Sequence, residues 1–236
     1  MSSLFDAVAE IDRRFSGELG VAAYHLRTGA SVEYNPSRQF PTASTIKLPI
    51  LLEGFRQLER GEHRRDERFT LEDADKQAGT GILREFDAGL QPTFMDLMRL
   101  MMVVSDNTAT NLLIRALGLD RINALLRGLG LTSTALLREI TFELADGQLP
   151  PIGLATAADF VLLLRRLASG EVLSPAATAE ALAIMRRQQY RDFLPRYLPV
   201  LASDRFAQSQ PDGVWGGRKG RHALWRSQRG RNHRPR

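Results

Sequence analysis

The apolar positions of the N-terminal stretch SSLFDAVAEIDRRF recur at helical spacing. Leu4, Phe5, Val8, Ile11 and Phe15 share one side, and Ser2 or Ser3 is the expected cap. The period then changes. In LGVAAYHLRTGASVEYN two β-prone runs flank Thr28-Gly29, a turn-like pair, and the pattern predicts a hairpin. His25 falls in the first of these runs with no acid partner in view, so it reads as an ordinary strand residue. Next comes PTASTIKLPILLEGF. From Thr45 to Arg60 the chain is apolar on most faces, through Ile46, Leu48, Ile50, Leu51, Leu52, Phe55 and Leu58. A helix apolar nearly all round is a central, buried one. Gly61 is a reasonable stop, and Pro49 falls close to the first turn, where its missing N–H does least harm.

From Glu62 to Pro92 the pattern is weak and polar, with a β-like RFTL and a glycine-rich AGTGIL. Helical signals then resume. Thr93 and Asp96 are spaced as a capping box before FMDLMRLMMVV. Asn107 or Thr108 is placed to cap the next helix, and Asp120 the one after. Thr132 to Gly153 reads as irregular. Thr156 with Asp159, and then Ser174-Pro175, open two further helices. A helix, a hairpin and a long helical middle predict an α+β protein with an all-helical subdomain over about residues 62–155.

The 236 residues, 43% of them hydrophobic, can build one fair-sized core or two small ones. No apolar run approaches the roughly 18 residues of a membrane span. The N-terminus carries acids early and lacks the basic-then-apolar layout of a secretory signal. As written, that implies a cytoplasmic protein, or a periplasmic or secreted one if an exported precursor exists. There is no cysteine, which excludes thiol nucleophiles and zinc–thiolate sites. The net charge of +5 misleads: eight of the 32 basic residues and no acid lie within Gly216–Arg236, leaving 24 against 27 acids. The basic character belongs to that stretch, so the body of the protein is not expected to bind nucleic acid.

The chemistry sits at the mouth of the apolar helix. Ser44 and Lys47, three residues apart, share a face. A helix N-terminus offers free N–H groups and partial positive charge to an oxyanion. Burial and the same dipole lower the proton affinity of a lysine and fit it to act as a base. On its own, S-x-x-K is also what a helix cap followed by a snorkelling lysine would give. The second element is Ser105-Asp106-Asn107, after one apolar helix and before another. S-x-x-K followed by S-D-N is a signature of class A β-lactamases and penicillin-binding proteins. PTASTIKLPILL and LMMVVSDNTATNLLIRALG together resemble the two most characteristic segments of class A serine β-lactamases and their relatives, over Leu4 to about Pro199.

The resemblance implies a β-lactamase/transpeptidase-like fold with a catalytic domain over 1–199. It implies that Ser44 is acylated, that Lys47 takes its proton, and that Ser105 relays a proton to the β-lactam nitrogen. Asn107 would bind the substrate's side-chain amide, and Asp106 would tie the loop together. The implied substrate is a small β-lactam or a peptidoglycan-like peptide, handled by a monomer without cofactor or metal.

Two departures stand out. The family places a glutamate in an Ω-shaped loop to aim water at the acyl-enzyme. Aligning Thr134 and Arg138 with that loop puts Ile140 at the glutamate's position. Glu139 and Glu143 are the nearest carboxylates, and ITFELA favours Glu143 by its likeness to a Phe-Glu-Ala run in divergent relatives. After Leu198, no K-T/S-G triplet appears, Arg218-Lys219-Gly220 being the nearest. Residues 200–236 therefore read as an Arg-rich, disordered tail, with the sheet strands that normally follow missing. Frameshift or truncation, an acidic partner, and atypical strands each account for it. The rival functions are a D-alanyl-D-alanine peptidase of the penicillin-binding type and a non-catalytic relative with a nucleic-acid-binding tail.

Overall fold

The computed structural model describes residues 4–145 and 147–190. The expected caps Ser2 and Ser3, the Arg218–Gly220 triplet and the 200–236 stretch lie outside them. The architecture is α+β. Helix α1 (Leu4–Arg14) leads into an antiparallel hairpin of β1 (Val21–Tyr24) and β2 (Ser31–Tyr34), with Val21 opposite Tyr34 and Tyr24 opposite Ser31. His25 lies just past β1, in the turn, where its Nδ1 meets the Thr28 amide at 3.1 Å and the Thr28 hydroxyl at 2.8 Å. Of the apolar face of α1, Val8 is buried while Leu4, Phe5 and Ile11 stay exposed. The helix rests on β2, with the Phe5 and Tyr34 rings 5.7 Å apart and Tyr34 donating to Asp12.

A second small sheet holds the floor of the site. Strand β3 (Gln39–Pro41) and β4 (Ala135–Leu136) both pair antiparallel with β5 (Gly153–Thr156). The sequence pattern missed β4 and β3, because strands of two or three residues are too short to show a period. The pairing continues one residue beyond β3, where the Thr42 amide donates to Gly153 O at 2.9 Å. This fixes the chain two residues before Ser44.

The apolar helix divides in two. Ala43–Ile46 forms a 3-10 turn, and α2 (Lys47–Glu59) continues it. As the unbroken apolar pattern requires, α2 is buried over most of its length, with Ile50, Leu51, Leu52 and Phe55 in the core. Helices α3 (Phe94–Val103), α4 (Asn107–Leu117), α5 (Leu119–Gly128) and α7 (Pro175–Arg186) pack around it. Full burial of each such leucine or phenylalanine contributes about 1.5–3 kcal/mol. Gly54 lets α3 close in: a Cβ there would fall 2.7 Å from Met98 Sδ. Helix α6 (Ala157–Ala168) packs on β1, with the Arg165 guanidinium 3.8 Å above the Tyr24 ring centre.

The capping expectations divide. Thr93 and Asp96 form the reciprocal box, Thr156 caps α6 and Ser174 caps α7 with Pro175 behind it. Helix α4 is capped by Asp106, not by Asn107 or Thr108: its Oδ1 accepts the Ala109 N–H at 2.9 Å. Helix α5 starts from Gly118, not Asp120. Gly118 has φ 84°, a conformation in which the chain leaves α4 and enters α5 without a linker for Asp120 to cap.

Candidate active site

Three segments converge at the N-terminal end of α2. The 3-10 turn carries Ser44, the first residue of α2 is Lys47, and the segment entering α4 carries Ser105, Asp106 and Asn107. In a 3-10 turn residues three apart eclipse, so Ser44 and Lys47 stand on one edge. Two non-glycine residues of these segments take positive φ, Ala43 at 42° and Ser105 at 57°. Each adjoins or supplies a hydroxyl of the site, and such left-handed non-glycine backbone costs on the order of 1–3 kcal/mol.

Lys47 is fully buried, with 0% of its surface exposed. Its Nζ donates to Ser105 O at 2.7 Å, Asn107 Oδ1 at 2.8 Å and Ser105 Oγ at 3.0 Å. Ser105 Oγ in turn lies 2.9 Å from Ser44 Oγ. The two serine hydroxyls and the amine form one chain, and Lys47 reaches Ser44 through Ser105, with no direct hydrogen bond between them among the described residues. The Ser44 N–H is likewise unbonded there, leaving it open to an oxyanion.

Burial pushes the Lys47 amine from its ordinary value down to about 7, against a smaller pull upward from the Asp106 carboxylate. Three acceptors around Nζ suit an ammonium, whereas desolvation favours the neutral amine. Ser105 reconciles the two. When the amine is neutral its two N–H groups serve Ser105 O and Asn107 Oδ1, and the Ser105 hydroxyl can turn to donate to the lone pair. The site holds the amine in either protonation state at little cost in unmet hydrogen bonds.

Asp106 sits beneath the cluster rather than in it. Its Oδ2 accepts the N–H groups of Ile82 and Leu83 at 2.6 and 2.7 Å, while Oδ1 caps α4. Asn107 Nδ2 donates to Ala78 O at 2.8 Å, and the Asn107 N–H donates to Thr80 O at 2.9 Å. Residues 77–83 are thus stitched along Ser105–Thr108. The sequence pattern left this AGTGIL stretch without a role. Gly81 is the one legible signal in it: its φ is 115°, and a Cβ there would fall 2.4 Å from the Asp106 carboxylate carbon.

Ser44, Lys47, Ser105 and Asn107 are brought together, and Glu143 is not joined to them. Glu143 is exposed, and its carboxylate makes no hydrogen bond or ion pair among the described residues. Its neighbour Phe142 reaches the edge of the site, where a Cβ on Gly79 would meet Phe142 Cζ at 2.6 Å and Asn107 Nδ2 at 2.7 Å. Glu139 lies 3.7 Å from Arg115. Ile140, at the position aligned with the family's glutamate, is buried and clamped by Asn111 of α4. The Ile140 N–H donates to Asn111 Oδ1 at 2.8 Å, and Asn111 Nδ2 returns a bond to Ile140 O at 2.9 Å.

A family model described as the beta-lactamase enzyme family matches residues 3–214. The chain belongs to that family, among the class A serine β-lactamases. It is 30% identical over 189 residues to beta-lactamase L2 of Stenotrophomonas maltophilia, an alignment covering 79% of this chain and 58% of L2. The chain thus spans about three-fifths of that relative's length. Its fold resembles the crystal structure of a beta-lactamase from Sphaerobacter thermophilus, with a TM-score of 0.77 and 32% identity over 83% of this chain and 73% of the other. It also resembles a leucine-to-glutamate variant of PBP-A solved as an acyl-enzyme with penicillin G, with a TM-score of 0.74 and 28% identity over 81% and 71%. The described residues include no helix long and apolar enough to cross a membrane.

Proposed function

We propose that this protein is a serine hydrolase of the β-lactamase type, which opens β-lactam rings through an acyl-enzyme on Ser44. The hydrogen-bonded chain Ser44–Ser105–Lys47 is the observation that carries this reading. Ser44 Oγ attacks the lactam carbonyl carbon while its proton passes through Ser105 Oγ to the neutral Lys47 amine. The Ser44 N–H faces the developing oxyanion. As the C–N bond breaks, the proton returns through Ser105 to the departing ring nitrogen, leaving an ester on Ser44. Water then cleaves that ester and restores the hydroxyl. Asn107, with one amide hydrogen given to Ala78, keeps the other for a substrate carbonyl.

A second reading is favoured by Ile140. A buried isoleucine where the family keeps a glutamate, with Glu143 out in solvent, suits a penicillin-binding or D-alanyl-D-alanine peptidase relative that acylates quickly and deacylates slowly. Both readings put the ester on Ser44. A fluorescent penicillin is therefore expected to label the wild-type chain and to leave Ser44→Ala unlabelled. Persistent labelling of the alanine variant would remove both readings.

A further inference from the structure

Two of the three acceptors that hold the Lys47 amine have a second donor. The Thr80 hydroxyl lies 2.8 Å from Ser105 O and 3.4 Å from Asn107 Oδ1. Thr80 is half-buried, and its own carbonyl takes the Asn107 N–H, so the hydroxyl is held against these two oxygens by the backbone. We propose that Thr80 is a positioning residue whose uncharged hydroxyl shares the acceptors of Lys47 and so loosens the hold of Lys47 on its proton.

The physical argument is a comparison of donors. Ser105 O and Asn107 Oδ1 each have two lone pairs. Without a second donor their full negative ends face Nζ and stabilise an ammonium. With the Thr80 hydrogen aimed at them, part of that attraction is spent on a neutral group, and the charged form of Lys47 loses support. With the amine neutral, its own two N–H groups still reach Ser105 O and Asn107 Oδ1 and the Thr80 hydroxyl remains a second donor to Ser105 O, so the geometry survives proton transfer.

Among the described residues, no titratable group donates to Ser105 O or Asn107 Oδ1 besides Lys47 itself. Asp106 acts on Lys47 in the opposite direction, and its oxygens are committed to Ile82, Leu83 and Ala109. Of the charged groups on the elements packed around α2, Asp96 pairs with Arg99 on α3, Arg115 of α4 with Asp75, Arg121 of α5 with Glu62, and Glu180 of α7 with Arg65, while Asp120 and Arg127 of α5 are exposed. On α2 itself Glu53 pairs with Arg56 and Glu59 accepts the Ser174 N–H.

The inference rests on Lys47 as proton acceptor, and its test is separable from acylation. The lysines of the chain are Lys47, Lys76 and Lys219, so selective carbon-13 labelling gives few signals to follow. Titrating the full chain by NMR, we expect Thr80→Val to raise the Lys47 midpoint by about one pH unit. Thr80→Ser should restore it. Thr80→Ala removes the hydroxyl a second way if the branched side chain disturbs the loop. The acidic limb of penicillin labelling against pH should move upward with the midpoint. A Lys47 midpoint unchanged in both hydroxyl-less variants overturns the proposal. A wild-type chain that fails to label overturns the acyl-transfer reading alone, since the NMR titration still decides the role of Thr80.

Discussion

Lys47 is where sequence and chemistry meet most closely. Its depressed proton affinity has a calculable sign. Between about pH 7 and pH 10 the unfolded chain binds more protons at this residue than the folded one, so its contribution makes stability rise with pH across that window. The unfavourable burial of the charge is fully present below about 7 and fades as the unfolded lysine also loses its proton. Lys47→Met should flatten that rise in urea unfolding, and an undiminished slope would show that Lys47 titrates normally. In the proposed acylation the same residue would work as a base, so labelling should climb as pH rises through about 7. Replacing it should slow labelling about 100- to 10,000-fold, the usual range for a general base.

At the scale of elements, the site depends on a loop pinned along the start of a helix. Residues 77–83 contribute Gln77 N–H to Thr108 Oγ1, Ala78 O to Asn107, and two amides to Asp106. Gly81→Ala should break this register, because its Cβ would strike the Asp106 carboxylate in a conformation only glycine adopts easily. The expected result is a loss of about 1–3 kcal/mol in stability, slower labelling, and faster hydrogen exchange at Ile82 and Leu83. Unchanged exchange at those two amides would mean the loop tolerates the side chain. Much of the helical frame was legible beforehand, since α2 and α3 carry long apolar patterns and Thr93, Thr156 and Ser174 announce their helices. The loop was not legible. Its contacts are backbone amides meeting Asp106 and Asn107 across more than 20 residues of sequence, and no local periodicity records such pairings. The misplaced cap of α4 has the same cause: Asp106 is bound to both a helix end and a distant loop, and only the fold reveals which use comes first.

At the scale of the whole molecule, the proposed acylating cluster and the candidate carboxylate Glu143 are set in different surroundings. Ser105 and Lys47 are anchored between α2 and α4, among residues with almost no exposure. In the segment that follows β4, Leu137, Phe142, Leu144 and Leu149 are exposed alongside Glu143. The segment's firm attachment to the helices is the Asn111–Ile140 clamp, and the clamp presents an apolar side chain to the interior. A carboxylate that activates water must hold it within hydrogen-bond reach of the ester. Glu143 has no partner among the described residues to fix it there. Ester formation should accordingly outrun ester cleavage. With excess penicillin, rapid quenching and intact-mass analysis should reveal a burst approaching one acyl group per active chain, followed by slow turnover. Ile140→Glu should shorten the life of that ester if the chain keeps the family's water-activating geometry around position 140. Brisk steady-state turnover of the wild type without a burst would instead assign water activation to a surface carboxylate. Comparing Glu143→Gln with Glu139→Gln would then identify it, because only the variant lacking the true base should accumulate the acyl-enzyme.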